Sequence, residues 1–182
     1  MTTLQVSNET TATESTIQSV VGKIAYAMEH HLSNGDLAQL RRASPEAPYT
    51  PTLWKVLLTY VPPSWTGGPK QDEKERRWAA LLQGMAMTAG LHIPNARLGR
   101  ALVQAGWSEL RFVRLMQARG DVLVKEVRRL ASFLSSKSQT IDWSDIAQLL
   151  FNQEGEWAEH HRRRIARDYY KTLYQQEKDA SN

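Results

Sequence analysis

The sequence comprises 182 residues, 41% of them hydrophobic and 23% charged, with a net charge of +4 and no cysteine. This composition provides enough apolar side chains for a buried core, and it excludes disulfide frameworks, thiolate metal sites and cysteine nucleophiles. The polar N-terminus lacks a signal-peptide pattern, and no apolar run approaches the ~18 residues of a membrane span. We therefore expect a cytoplasmic protein without a membrane partner.

Apolar residues at helical spacing predict four helices in the first half of the chain, at 17–32, 36–43, 51–61 and 72–88. Before them, the Thr- and Ser-rich stretch 1–14 predicts a disordered tail. The turn at 33–35 is expected to end the first helix, and Asp36 is expected to cap the second. Thr50 and Pro51 have the N-cap and first-turn pattern that begins the third helix.

The second half of the chain shows the same periodicity and predicts five more helices, at about 98–105, 108–118, 120–134, 142–150 and 156–175. Loops at 64–70 and 90–95 contain the Gly and Pro residues that are typical of turns. No segment alternates as a strand would, and Gly99 is expected to permit close helix packing. The pattern predicts an all-α bundle of about eight to nine helices in two small lobes, 15–90 and 91–182.

Positive charge is concentrated in one part of the sequence. Between positions 97 and 129 there are eight basic residues: Arg97, Arg100, Arg111, Arg114, Arg119, Lys125, Arg128 and Arg129. Only Glu109, Asp121 and Glu126 oppose them, which leaves +5 in this region against +4 for the whole chain. Seven of the eight are arginine, whose planar guanidinium can bind a phosphate with two hydrogen bonds. This density of like charge favours a polyanionic partner.

Two smaller basic clusters lie outside this region. One is the pair Arg41 and Arg42, and the other is the run Arg162, Arg163 and Arg164 on the last helix, together with His160, His161, Arg167 and Lys171. We interpret all three clusters as candidate contacts to a nucleic-acid backbone. The alternative for a single residue is an ordinary solvated helix face. Ion pairs would then form within the helix, such as Asp121 with Lys125 or Glu126 with Arg129.

The sequence contains no pattern that is typical of a catalytic or metal site. Histidines occur as adjacent pairs at 30–31 and 160–161, whereas two metal ligands on one helix face are four residues apart. No glycine-rich phosphate loop occurs. Asp142 is better explained as a helix N-cap, and Asp168 lies among arginines that it can neutralise. We therefore predict that the protein is not an enzyme and has no metal or cofactor.

The six tryptophans could pack in the core or stack on nucleobases. Trp54, Trp78 and Trp157 lie on apolar stripes, which favours core positions. Trp143 directly follows a predicted N-cap, where it could pin the start of a helix to the core. Two tryptophans have no assigned role, one in a Gly/Pro loop and one at a helix junction: Trp65 and Trp107.

Five segments follow one another in a recognisable order: LGRAL at 98–102, SELRFVRLMQA at 108–118, VRRLASFL at 127–134, IDW at 141–143 and RRRIARDYY at 162–170. In their order and spacing, the chain resembles the small-subunit (CasB) family of the type I-E Cascade complex, the RNA-guided CRISPR surveillance assembly. The resemblance is good over 97–170, and GDLAQLRRA at 35–43 is similar in kind.

The resemblance implies an all-helical, non-catalytic subunit that is present in two copies and assembles with the other Cascade subunits. It also implies contact with the hybrid of guide RNA and target DNA, and with the displaced single-stranded DNA. Carried over by position, it implies backbone contacts for six arginines: Arg41, Arg42, Arg100, Arg111, Arg128 and Arg129. The run from Arg162 to Arg164 matches a basic run in the same family.

Two other functions fit part of the pattern. A helical transcription regulator would place a helix–turn–helix in the major groove, and residues 106–118 match that motif approximately. The charged positions in this segment favour phosphates over base edges. A purely structural adaptor would instead place its arginines on acidic protein surfaces. Binding that ignores sequence would exclude the regulator, and binding to a short single strand at low salt would exclude the adaptor.

Overall fold

The fold consists of ten α-helices within the residues that the computed structural model describes, 15–43 and 47–181. The first five are α1 (Ile17–His30), α2 (Asn34–Arg42), α3 (Pro51–Tyr60), α4 (Pro63–Thr66) and α5 (Gln71–Met87). The other five are α6 (Leu98–Ala105), α7 (Glu109–Gln117), α8 (Gly120–Lys137), α9 (Trp143–Phe151) and α10 (Glu156–Ala180). These ranges contain no strand, so the predicted all-α bundle is confirmed. The predicted tail, 1–14, lies outside the described residues.

The helix that the apolar periodicity did not predict is α4, a single turn that overlaps the predicted loop 64–70. Pro63 occupies its first position, where the fixed φ of proline suits a helix and the missing N–H is not needed. Trp65 lies half-buried beside Trp78, with ring centroids 6.5 Å apart. Because a four-residue helix is too short to show an apolar period, the count rises from the predicted eight to nine helices to ten.

The junction between α1 and α2 differs from the prediction. α1 ends at His30, and Ser33 rather than Asp36 is the N-cap of α2. The Ser33 hydroxyl accepts a hydrogen bond from the Asp36 N–H at 3.1 Å, and the Asp36 carboxylate accepts one from the Ser33 N–H at 3.0 Å. This reciprocal capping box satisfies two N–H groups, where a single Asp cap would satisfy one. The bonds from Ser33, followed by one from Thr52, lower the pKa of Asp36 to about 2.

Two predicted helix starts are confirmed. The Thr50 hydroxyl accepts a hydrogen bond from the Leu53 N–H at 3.2 Å, and a proline follows in the first position of α3. One oxygen of the Asp142 carboxylate accepts from the Ser144 N–H at 2.9 Å, and the other accepts from the Asn95 N–H at 2.8 Å. Asp142 therefore caps α9 and also holds the loop that precedes α6.

The hydrophobic core is one continuous cluster of buried side chains that includes residues from both halves of the chain. Within it, α5 packs against α2, α8 and α9. The buried side chains of α5 include Trp78, Leu81, Leu82 and Met85, whose spacing places them on one face of the helix. A boundary between two lobes near Gly90 stays a prediction, and the core cluster extends across that position.

Trp143 joins α9 to α5, which confirms the role predicted for it. Its indole is buried, and the ring N–H donates to the Thr88 hydroxyl at 2.9 Å. The ring lies against Gly84 of α5, where an added Cβ atom would stand 2.8 Å from the indole Cζ3. The absence of a side chain at Gly84 therefore lets this ring pack directly on the helix backbone.

The helices α6 and α10 approach each other closely at Gly99. A Cβ atom added there would lie 2.7 Å from the backbone nitrogen of Tyr169 and 2.9 Å from the Cβ atom of Asp168. Both distances are shorter than van der Waals contact, so the prediction that this glycine permits close packing is confirmed. The ring of Tyr169 then stacks on Phe112 of α7, with centroids 3.9 Å apart, and joins a third helix to the pair.

Of the three tryptophans predicted to lie in the core, only Trp78 does so. Trp54 is 39% exposed and Trp157 is 82% exposed, so the core positions predicted for both are wrong. In α10, the core position of the first turn belongs to Ala158, which lies seven residues before Ile165 and shares its helix face. Trp157 is rotated by about 100° from Ala158 and faces solvent.

Candidate nucleic-acid interface

The structure divides the thirteen predicted contact residues by what their side chains touch. Seven are exposed and have no hydrogen-bond or ion-pair partner among the described residues: Arg42, Arg100, Arg111, Arg114, Lys125, Arg128 and Arg163. Six are engaged by the protein itself: Arg41, Arg97, Arg119, Arg129, Arg162 and Arg164. Contact with nucleic acid stays a prediction for all thirteen. The seven free residues, however, carry charge that no described residue of the chain neutralises.

The largest set of free cations lies on two consecutive helices, and we call it the α7–α8 cation group: Arg111, Arg114, Lys125 and Arg128. α7 buries Phe112 and Leu115, and its two arginines, three residues apart, share the exposed side. α8 buries Leu123, Val127 and Leu130, and its two cations lie on the opposite side of that helix. Within the described ranges, no acidic side chain pairs with any of the four.

Two aromatic rings position the Arg111 side chain. Its guanidinium carbon lies 5.3 Å from the ring centroid of Trp107 and 5.9 Å from that of Phe133. The two rings are themselves in edge contact, with centroids 4.9 Å apart. A cation–π contact holds the guanidinium without neutralising its charge, so Arg111 is oriented and still able to bind an anion. Trp107, which had no assigned role, is buried and supports this arginine.

The sequence interpretation missed a further cation beside this site. The Lys137 ammonium lies 5.8 Å from the Phe133 ring, which Arg111 also contacts. Lys137 is the last residue of α8 and lies beyond the region 97–129 in which the basic residues were counted. The signal that could have identified it is spacing, because Lys137 follows Phe133 by four residues and shares its helix face.

Arg97 and Arg100 border an open groove of about 310 Å³ at the start of α6. Arg97 donates to the Asp168 carboxylate at 3.1 Å, which confirms that this aspartate neutralises a nearby arginine. Arg100 is exposed and has no such partner in the described part of the chain. The side chains of Asn95 and Gln104 add hydrogen-bonding groups to the lining. On the side of Arg100, the groove can therefore accommodate an anionic ligand.

The two arginines at the end of α2 have different environments. Arg41 donates through Nε to the Ala86 carbonyl of α5 at 2.7 Å, and Gln83 donates to the Arg41 carbonyl at 3.1 Å. Arg42 is exposed, and its side chain contacts no partner in the described ranges. Adjacent helical residues point about 100° apart. One arginine of the pair therefore ties α2 to α5, and the other faces solvent.

Arg119 and Arg162 converge on the C-terminal end of α7. Both donate to the Met116 carbonyl, at 3.0 Å from Arg119 and 3.2 Å from Arg162. Their charge complements the partial negative charge of a helix C-terminus. Arg162 is only 6% exposed, and burial together with the charge of Arg119 lowers the pKa of its guanidinium. This position favours a structural role for Arg162 over contact with a ligand in solvent.

Arg164 belongs to a polar network between α9 and α10. Its Nη2 pairs with the Asp145 carboxylate, whose other oxygen accepts from the Leu98 N–H at 3.0 Å. The same Nη2 lies 3.1 Å from Nδ1 of His161. Because arginine can only donate, His161 Nδ1 is the acceptor, and the proton is on Nε2, which donates to the Asp145 carbonyl at 2.9 Å. His161 is therefore neutral in this network.

The sequence offered two possible ion pairs within α8, and one of them is present in the structure. Arg129 pairs with Glu126, as that alternative predicts. Glu126 is buried, so Arg129 offsets a charge that would otherwise be unpaired inside the protein. Lys125 and Asp121, by contrast, do not form an ion pair among the described residues. Lys125 therefore keeps its charge available, whereas much of the charge of Arg129 is neutralised.

The neutral His161 makes the stability of the fold depend on pH. Burial lowers the pKa of His161, and burial also lowers the pKa of His92. A histidine whose pKa is lowered by folding binds more protons in the unfolded state. Its contribution to stability is therefore complete above the unfolded pKa of about 6.5 and is lost as the pH falls towards the folded pKa. Urea unfolding should show a smaller free energy of unfolding at about pH 5 than at about pH 7.5.

The variant His161→Gln should reduce this dependence, because it removes one of the two groups. His160 provides a matched control, since it is the exposed neighbour on the same helix and its replacement by glutamine should leave the dependence intact. An equal change of stability with pH in wild type and His161→Gln would contradict the assignment of His161.

Residues 15–43 and 47–181 contain neither a metal-binding cluster nor a membrane-spanning helix. No three His, Cys, Asp or Glu side chains lie close enough together there to hold a metal ion. Nor is any helix in these ranges both long enough and apolar enough to cross a membrane.

Comparison with known proteins adds a family to this description. The model of the family described as CRISPR-associated protein Cse2 matches residues 36–170. No curated protein matches the sequence. A chain of E. coli Cascade bound to a PAM-containing dsDNA target is 20% identical, with a TM-score of 0.63, and the match covers 85% of this chain and 96% of that chain.

Two further solved structures are similar in fold. CasB from Thermus thermophilus is 21% identical with a TM-score of 0.64, and the match covers 86% of this chain and 98% of that one. M. ruber CasB is 19% identical with a TM-score of 0.64, and the match covers 91% and 98%. The family match begins in α2 and spans most of the chain, which confirms the resemblance inferred from the five segments. The chain belongs to the CRISPR-associated Cse2 family, the CasB small-subunit family of the type I-E Cascade complex.

Proposed function

We propose that this chain is a non-catalytic, nucleic-acid-binding subunit of an RNA-guided CRISPR interference complex. It stabilises the hybrid of guide RNA and target DNA, and the displaced single-stranded DNA, through contacts to the backbone. Membership of the Cse2 family supports assembly with other Cascade subunits. The similar chain from E. coli belongs to a Cascade complex bound to a dsDNA target. A second copy of this chain is a further partner in the complex, and the complex acts in the cytoplasm.

The observation that carries the proposal is the α7–α8 cation group. Four like charges lie on the exposed sides of two consecutive helices, without an acidic partner in the described ranges. Unpaired cations on exposed helix faces attract a polyanion, and a nucleic-acid backbone is a polyanion with regularly spaced charges. Arg111 is also held in place by Trp107 and Phe133, which reduces the entropy lost when it binds a phosphate.

Backbone contacts of this kind suit a subunit of an RNA-guided complex. Base pairing with the guide already reads the target sequence, so the protein needs no contacts to base edges. Exchanging a DNA duplex for an RNA–DNA hybrid is nearly balanced in free energy, and protein contacts to the backbone can tip that balance. Arginine and lysine side chains on exposed helix faces provide contacts that work equally on any sequence.

The proposal predicts binding that ignores sequence and depends on salt. Alanine at Arg111 or at Arg128 should weaken binding equally on two unrelated DNA sequences. Each replacement should flatten the slope of log affinity against log salt by about 0.7 to 0.9, because one phosphate is no longer neutralised by the protein. Fluorescence anisotropy with labelled DNA over a salt series measures both quantities. Lysine at either position should retain more binding than alanine.

Arg76 provides the matched control for these variants. It is an exposed arginine on α5, outside all three basic clusters, and its replacement by alanine removes the same charge. Arg76→Ala should leave the salt slope unchanged. Equal slopes in wild type, Arg111→Ala and Arg128→Ala would contradict the proposal, and so would a strong preference for one DNA sequence.

A further inference from the structure

Trp157 exposes a large aromatic surface to solvent. The side chain lies in the first turn of α10 and is 82% exposed, whereas Trp78, Trp107 and Trp143 are buried. Its ring contact within the described chain is an edge contact with His160, at 6.4 Å between centroids. An indole that is exposed to this extent is suited to stack against a flat, apolar partner.

The groove beside Trp157 is lined by side chains that can form hydrogen bonds with the polar edge of a nucleobase. It has a volume of about 390 Å³ and lies where α1, α9 and α10 meet. Gln18, Gln148 and Asn152 place side-chain amides in it, together with Trp157 and His160. Amides can both donate and accept hydrogen bonds, as the edges of unpaired bases do. A ring that stacks on the indole would therefore find partners for its polar edge in the same groove.

A line of positive charge runs along α10 on the C-terminal side of Trp157. Arg163, Arg167 and Lys171 follow one another at spacings of four residues, so they form one stripe with a cation about every 5 to 6 Å. All three are exposed, and none forms an ion pair within the described residues. Glu156 and Glu159 line a neighbouring groove together with Trp157 and Arg163, and Glu159 is within 3.6 Å of Arg119. The free positive charge of the stripe therefore extends from Arg163 away from the two glutamates, towards the C-terminal end of α10.

We propose that Trp157 stacks on one unpaired base of a single-stranded nucleic acid, whose backbone follows the α10 stripe of Arg163, Arg167 and Lys171. This site is separate from the α7–α8 cation group, and it rests on the proposed function only in that the chain binds nucleic acid. The basic stripe favours a nucleic acid over a protein partner, because a line of unpaired cations matches the regularly spaced negative charges of a backbone.

The test compares two labelled single strands of about 12 nucleotides, one with bases and one with abasic sites throughout. Trp157→Ala should lower the affinity for the base-containing strand about five- to 150-fold, which corresponds to the stacking of one base. Its affinity for the abasic strand should not change, and neither should the salt slope on either strand. Trp157→Phe should retain most of the affinity, since it keeps an aromatic face.

Trp54→Ala is the matched control, because Trp54 is the other exposed tryptophan and stacks on Tyr49 of its own chain. It should leave binding to both strands unchanged.

Unchanged affinity of Trp157→Ala for the base-containing strand would overturn the inference, and so would an equal loss on both strands. If Trp157→Ala instead impaired only assembly with other subunits, Trp157 would be a protein contact and the inference would also be overturned. If the wild-type protein bound neither strand, the result would contradict the proposed function itself. That result can be told apart from a failure of the Trp157 inference, in which the wild type still binds.

Discussion

Replacing Arg111, Arg114, Lys125 and Arg128 together with alanine should lower the affinity of the protein for DNA about a thousandfold at 0.1 M salt. Each phosphate that a protein neutralises raises the affinity by close to tenfold when the salt concentration falls from 1 M to 0.1 M, because condensed counterions are released. Since the variant would neutralise four fewer phosphates, the slope of log affinity against log salt should flatten by about 3. Fluorescence anisotropy over a salt series gives both values.

The fold should survive this change, because all four side chains are exposed and alanine is a good helix former. The charge-matched control replaces Lys23, Arg76 and Lys178 with alanine and Lys70, which has a φ of 61°, with asparagine. These four residues lie outside the predicted interface. A similar loss of affinity in the control would mean that net charge, and not the α7–α8 cation group, determines binding.

Replacing Gly99 with alanine should destabilise the protein by about 3 kcal/mol, although alanine is the better helix former. The added methyl group would overlap the backbone of α10 at Ile165 and Tyr169, and backbone atoms cannot rotate away as a flexible side chain can. The two helices would have to separate, which would also disturb the stacking of Phe112 on Tyr169. Chemical denaturation monitored by far-ultraviolet circular dichroism measures the change.

Gly22 is the matched control for this prediction. It lies inside α1, and an added Cβ atom there would have no neighbour within 4 Å. Gly22→Ala should therefore stabilise the protein by about 0.5 to 1 kcal/mol, from helix propensity alone. The two substitutions are chemically identical and should have opposite signs. A stabilising effect of Gly99→Ala would show that α6 and α10 are not in close contact at this position.

The helix pattern could be predicted from the sequence because its signals are local. Thr50 and Asp142 cap helices as expected, since a cap depends on a few neighbouring residues. Gly99 was correctly interpreted for a similar reason, because a glycine inside a strong helical pattern needs a packing explanation. The capping box at Ser33 was misread because Ser33 and Asp36 are both good caps, and only the reciprocal hydrogen bonds show which one begins the helix.

The roles of the individual arginines could not be predicted in the same way. Arg41 is engaged by the Ala86 carbonyl, 45 positions along the chain, and Arg162 by the Met116 carbonyl, 46 positions away. Contacts over such separations depend on the tertiary fold, and they cannot be detected by counting charges along the sequence. The position of Arg162 could have been predicted from the sequence. It lies four residues after Ala158 and three before Ile165, so it belongs to the apolar face of α10.

The most direct test of the central claim uses the complex assembled with its partner subunits and guide RNA. Wild type and the variant with alanine at all four positions of the α7–α8 cation group would be compared for guide loading and for the lifetime of the opened target DNA. We expect the variant to load guide normally and to release the opened target much faster, because the contacts that tip a nearly balanced exchange are missing. Equal lifetimes for the two complexes would contradict the claim that this subunit stabilises the opened target through its backbone contacts.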